Sequence, residues 1–144
     1  MTYQEIMDLR NKTNAFAIKQ GIKVTELSKG YAKAWVKITP ELQNPTHSVH
    51  GGLLFTLCDI ACGSAASSYG IQITTVDSSM HFLRAAINVP ELFAEAREIK
   101  HGRRVMVFEA DVKDREGTLY CRGIFTIMKL KTPLQGGRTK EPAE

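Results

Sequence analysis

The sequence predicts an α+β protein in which a curved antiparallel sheet wraps around one central buried helix. Three observations carry this. First, the apolar stretch Leu53 to Ala66 is rich in Leu and Ala and is longer than an ordinary strand, so it suits a helix. Its apolar residues cover almost the whole helical circumference, the pattern of a helix packed on every side. Second, most of the remaining chain reads as short alternating segments bounded by turn residues. Third, strand and helix patterns do not alternate, which argues against a parallel doubly wound sheet. A sheet that touches several sides of one helix must curve. The apolar edge left over invites pairing with a second copy.

The elements follow in order. Tyr3 to Gln20 is an amphipathic helix with a break expected near Asn11 to Asn14. Thr2 and Glu5 have the spacing of a capping box, and Gly21 ends the helix. Residues 1–21 thus form a cover over a sheet edge or the mouth of a cleft. Ile22 to Leu27 and Tyr31 to Ile38 flank Ser28-Lys29-Gly30 as a hairpin. Ala32, Ala34, Val36 and Ile38 share one face of the second strand, and Trp35 falls on the other, mostly polar one. Pro40 and Pro45 bracket a loop, the central helix follows, and Gly70 stops it. In Ile71 to Phe82 the alternation groups Ile73, Thr75 and Asp77 on one face and Thr74, Val76 and Ser78 on the other. Leu83 to Ala86 interrupts the pattern. Leu92 to Leu130 reads as a three-stranded meander turning at His101-Gly102 and Glu116-Gly117. The domain spans 22–130, and 131–144 reads as a disordered tail.

The chain has 144 residues, enough for one domain with a full core. A net charge of +4 is too mild to imply nucleic acid and is compatible with an anionic small ligand. Cys58, Cys62 and Cys121 lie in apolar stretches and read as buried thiols of a reducing compartment. With no signal-peptide pattern and no apolar run long enough to span a membrane, the expected location is the cytoplasm, with no membrane partner.

One acid interrupts the apolar helix. Asp59 lies two turns in, too deep to be an N-cap. It is either a structural hydrogen-bonder or a functional carboxylate facing a cleft, where acids in unusual surroundings collect. Ahead of it stand Asn44, His50, Gly51 and Gly52.

The arrangement of Asn44, His50-Gly51-Gly52 and Asp59 resembles the hotdog-fold acyl-CoA thioesterases, in particular their phenylacetate-pathway (PaaI-like) branch. The stretch from Val76 through Asp77, Ser78, Ser79, Met80, His81, Phe82 and Leu83 to Arg84 is similar to the strand and bend that follow the helix in that family. His101-Gly102-Arg103-Arg104 resembles its turn before the last two strands. The resemblance covers about residues 22–130. It departs at Ala85, where many relatives have proline, and at Asp77, near the place of a serine or threonine helper that Thr75, Ser78 or Ser79 would supply here.

The resemblance implies a homodimer, often a dimer of dimers, with clefts at the interface, a coenzyme A thioester as substrate, and neither metal nor covalent cofactor. Asp59 is then the general base or the nucleophile, opposite the other subunit's Asn44 and Gly51. Helix-start N–H groups have no intrahelical partner, so Gly51 in the first place, and Gly52, suit an oxyanion. Asn44 orients water or the carbonyl, and His50 holds this region by hydrogen bonding. Asp77, Ser78, His81 and Phe82 join the substrate-binding set. Arg84, Arg103 and Arg104 are candidates for the phosphates of coenzyme A. A zinc site from His47, His50, Cys58 and Cys62 is disfavoured, because two thiols in an Ala-rich helix are ordinary core. Two other functions stay open: hydration or dehydration of an enoyl thioester on the same fold, and a non-catalytic acyl-thioester binding module.

Overall fold

The structure, a computed structural model, describes residues 1–134. Helices α1 (Tyr3–Thr13) and α2 (Ala15–Gln20) are followed by strands β1 (Lys23–Ser28) and β2 (Tyr31–Lys37). A short 3₁₀ turn at Pro40–Leu42 leads to helix α3 (Gly51–Ser67). Strands β3 (Ile71–Phe82), β4 (Glu91–His101), β5 (Val105–Lys113) and β6 (Leu119–Pro133) complete the chain. The strands form one six-stranded antiparallel sheet in the order β1-β2-β4-β5-β6-β3, and α3 touches every strand. This is the expected α+β architecture.

Local chemistry sets the boundaries. The Thr2–Glu5 capping box forms, and α1 ends at Asn14, whose side chain caps α2 by accepting from Ala17 N–H. The expected break is therefore a change of helix. Gly21, at φ 77°, ends α2. Ala32, Ala34 and Val36 of β2 face α3 with no exposed surface. Trp35 is half-buried on the other face, where its Nε1–H donates to Glu91 at 2.8 Å. The meander β4-β5-β6 forms as expected.

The two sheet edges are treated differently. On β1 the Asn11 side chain exchanges hydrogen bonds with both backbone groups of Val24, each at 2.8 Å, beside a shift in strand register. This blunts the edge in the way solitary edges are usually protected. On the opposite side, among the described residues, β3 pairs only with β6 and leaves twelve residues of edge open. Phe55, Val76, Phe82, Leu83 and Ile87 are exposed in and around that edge.

Three expectations are corrected. The central helix is not buried all round: Gly52 and Phe55 are exposed and Thr56 and Asp59 half-exposed along one stripe of its first turns. Only the second half is closed on every side, because α1 and β3 cover it. Second, β3 carries a bulge between Thr75 and Asp77. Thr75 pairs with the buried Ile127, but Asp77 pairs with Thr126, so the extra residue Val76 reverses the alternation. Thr75, Ser78 and Phe82 share the α3 side, while Asp77 and His81 are on the outer face. Third, the final strand continues through Pro133, and Leu134 N–H donates to Gly70 O at 3.0 Å. Lys131 to Pro133 thus belong to the sheet, and the rest of the expected tail, 135–144, lies outside the described residues.

Candidate active site

The start of α3 is built by its own sequence. His50 is the N-cap, in extended backbone at φ −61° and ψ 134°, and its Nδ1 accepts from Gly52 N–H at 2.8 Å. The ring lies so close that a Cβ on Gly52 would fall 2.9 Å from Nδ1, which explains the second glycine. The carbonyl of His50 accepts from Leu53 and Leu54 N–H. Gly51 N–H, in contrast, has no acceptor among the described residues. It is a half-exposed donor at the positive end of a seventeen-residue helix, a place that favours negative charge. The Phe82 ring packs over it, 3.5 Å from where a Gly51 Cβ would lie.

The preceding loop is tied down locally. Asn44 Nδ2 donates to Ser48 Oγ at 2.7 Å, and its Oδ1 accepts from Thr46 N–H at 3.0 Å and Thr46 Oγ1 at 2.5 Å. Val49 N–H donates to Ala86 O and His50 N–H to Leu42 O, each at 2.9 Å. Half-exposed Asn44 is therefore held in a turn just before the helix.

Asp59 lies two turns along the open stripe. Thr75 Oγ1, one of the three hydroxyl candidates, donates to its Oδ1 at 2.8 Å. Oδ2 has no partner among the described residues. Within the chain the rise from Gly51 to Asp59 is about 12 Å along the helix. These two groups therefore do not converge on one atom.

Arg84 is exposed just past β3, where its N–H and that of Leu83 both donate to Tyr120 O. Arg103 and Arg104 are exposed in the β4–β5 turn, next to the part of β6 that pairs with the start of β3. Arg84 is thus separated from that pair by roughly 30 Å of strand. The structure groups Gly51, Gly52, His50, Asn44, Phe82 and Arg84 at one end, and Asp59 with Thr75 nearer the other. Asp77 and His81 join neither group, for the bulge turns them to the outer face.

Arg10 escaped the sequence analysis. Its Nε donates to Ser64 Oγ at 2.8 Å and Nη1 to Ser67 Oγ at 3.0 Å. Burial lowers its pKa to about 10, and the charge of Asp59 acts in the opposite direction. The clue in the sequence is a glycine and two serines, Gly63, Ser64 and Ser67, inside an apolar helix.

Among the described residues no three His, Cys, Asp or Glu side chains form a cluster that would hold a metal. The Cys58 thiol is pushed up by its hydrogen bond with Cys121 and by burial, and Cys62 by burial and by Asp59, so both stay protonated. No helix among the described residues is long and apolar enough to cross a membrane.

Comparison with known proteins gives the family and the fold. The sequence profile of the Thioesterase superfamily matches residues 46–121, more than half of the chain, from the Asn44 loop's end through the start of β6. The acyl-coenzyme A thioesterase PaaI of Escherichia coli is 27% identical over 105 residues, which are 73% of this chain and 75% of that protein. The E. coli PaaI structure, from the phenylacetic acid degradation operon, superposes with a TM-score of 0.87 at 21% identity, over 92% of this chain and 96% of that one. A hypothetical thioesterase protein of Streptococcus pneumoniae, solved with coenzyme A, has a TM-score of 0.80 at 25% identity, over 87% of this chain and 99% of that one. Two structures of a mutant hypothetical thioesterase protein of that organism, both 27% identical with TM-scores of 0.71 over 75% of this chain, carry alanine in place of a threonine in one and of an aspartate in the other. The chain belongs to the thioesterase superfamily, has the hotdog fold, and is similar to PaaI.

Proposed function

We propose that this protein hydrolyses an acyl-CoA thioester to the free acid and coenzyme A, in a site shared by two copies of the chain. The observation that carries the proposal is a matched pair. One end of the open stripe offers an unpartnered backbone donor, Gly51 N–H, and the other a carboxylate fixed by Thr75 with one oxygen free. Hydrolysis needs both at one carbonyl, and within a protomer they are about 12 Å apart. A two-fold pairing along the open β3 edge runs the strands antiparallel. With the axis near the middle of β3, the Gly51–Phe82 end of one copy meets the Asp59–Thr75 region of the other. The same operation brings Arg84 of one copy toward Arg103 and Arg104 of its partner, giving a basic rim for phosphates.

In this site Asp59 takes a proton from water whose oxygen attacks the carbonyl carbon. The carbonyl electrons move to oxygen, which accepts from Gly51 N–H. Collapse breaks the C–S bond, and the thiolate leaves and is protonated. Direct attack by Asp59 gives an acyl anhydride and the same thiolate, and water then cleaves the anhydride. Thr75 holds the carboxylate in either case. Support comes also from the pneumococcal structures, one solved with coenzyme A, whose replaced threonine and aspartate are sixteen positions apart, the separation of Asp59 and Thr75 here. A cytoplasmic protein without metal or other cofactor is part of the proposal.

A panel of acyl-CoA thioesters assayed by thiol release tests it. Wild type releases thiol, and Asp59→Asn, which keeps size and hydrogen bonding, loses ~10²- to 10⁴-fold in kcat/KM with unchanged circular dichroism. A folded Asp59→Asn protein retaining more than about a tenth of wild-type kcat/KM rules out the role of Asp59, because acid–base catalysis exceeds that factor.

A further inference from the structure

The open stripe of α3 has an end wall, and it is a cation. Past Asp59 the next residue on the stripe, one helical turn on, is Gly63, which Arg10 and Ile73 cover. Ser64 and Ser67 donate their own hydroxyl protons to the carbonyls of Ile60 and Gly63, at 2.7 and 2.8 Å. Each therefore meets Arg10 only as an acceptor, and the two together lock the guanidinium in place. The third nitrogen, Nη2, has no acceptor among the described residues. It lies over Gly63, where an added Cβ would come within 3.1 Å of it. No carboxylate is within ion-pair distance of Arg10 among the described residues. Arg10 is half-buried, and its free Nη2 fits a ligand that brings an acceptor.

We propose that Arg10 is the end wall of the acyl subsite and selects acyl groups with a carboxylate at their far end. This rests on the thioesterase reading above and names its substrate class. A rise of about 6 Å separates the level of Asp59 from that of Gly63. This matches the span from thioester carbonyl to terminal carboxylate in a five-carbon dicarboxylic acyl group. A plain alkyl chain of that length would offer Nη2 no acceptor.

Glutaryl-CoA and pentanoyl-CoA form the test pair, equal in carbon count and differing in the terminal carboxylate. Wild type should prefer glutaryl-CoA in kcat/KM, and Arg10→Met should lower that preference by about tenfold or more, the usual value of a hydrogen bond to a charged group. Gly63→Ala, which keeps Arg10 and crowds Nη2, should lower it too and serves if Arg10→Met does not fold. Equal loss on both thioesters, or a wild-type preference for pentanoyl-CoA, overturns the proposal. Calorimetric affinities of the same two compounds give the answer without turnover. A glutaryl preference in binding that Arg10→Met abolishes supports the subsite even if no thioester is hydrolysed, so its failure and that of the hydrolase reading are read separately.

Discussion

Replacing Gly51 by proline deletes one atom of interest, the N–H hydrogen, and the structure predicts that little else changes. Gly51 is the first residue of α3, and that position tolerates proline because its N–H has no intrahelical acceptor. His50, at φ −61° and ψ 134°, already has the extended backbone required before proline. The added Cβ meets the Phe82 ring at 3.5 Å, ordinary contact. The His50–Gly52 cap is left in place. The fold should therefore keep or gain stability, by about 0.4–1 kcal/mol from reduced freedom of the unfolded chain. Loss of a single oxyanion donor costs about 10²- to 10³-fold in kcat. The measurement is thiol release on the best thioester together with the melting temperature of both proteins. An intact Tm with kcat within about threefold of wild type, far below the loss of an oxyanion donor, would refute the assignment of Gly51 N–H. Unfolding would refute the claim that this N–H is free.

Two further perturbations separate other parts of the site. Thr75→Ala removes the hydrogen bond that holds Asp59 and should lower kcat by about tenfold with little change in KM, while Thr75→Ser retains most activity; equal loss in both contradicts the hydroxyl's role. Arg84→Ala and Arg103→Ala should each raise KM for a CoA thioester and spare the same acyl group on a pantetheine-like thiol without the phosphates, since a remote contact adds uniform binding; equal loss on both substrates excludes phosphate contact.

The fold was legible because its strongest signals are local. A Leu- and Ala-rich run, a capping box at Thr2 and turn residues at regular intervals place the helices and the meander to within a few residues. The motif residues Asn44, His50, Gly51 and Asp59 were also visible, and the resemblance supplied their grouping. What was hidden depends on contacts between distant segments. The bulge at Val76 left no mark, because β3 carries Thr, Ser and Asp on both faces, so the alternation could not say which side Asp77 would take. The extent of the open stripe on α3 was hidden because Phe55 reads as core in an apolar run, and it is exposed only for want of a covering element among the described residues. Arg10 was unremarkable in a charged helix; only the three-dimensional fold brings it to Ser64 and Ser67. The separation of Arg84 from Arg103 and Arg104 follows from sheet order, which turn signals do not encode.

Mixing two inactive variants tests the shared site most directly. Asp59→Asn and Gly51→Pro, each purified and nearly inactive, are unfolded together, refolded as a mixture and assayed, with sedimentation confirming paired species. If each site takes Asp59 from one copy and Gly51 from the other, a mixed pair holds one site with both groups intact and one with both lost. Random pairing then restores about a quarter of wild-type kcat, since half of the pairs are mixed and each has one working site of two. If Asp59 and Gly51 of the same copy form a site, every site lacks one group and mixing restores nothing.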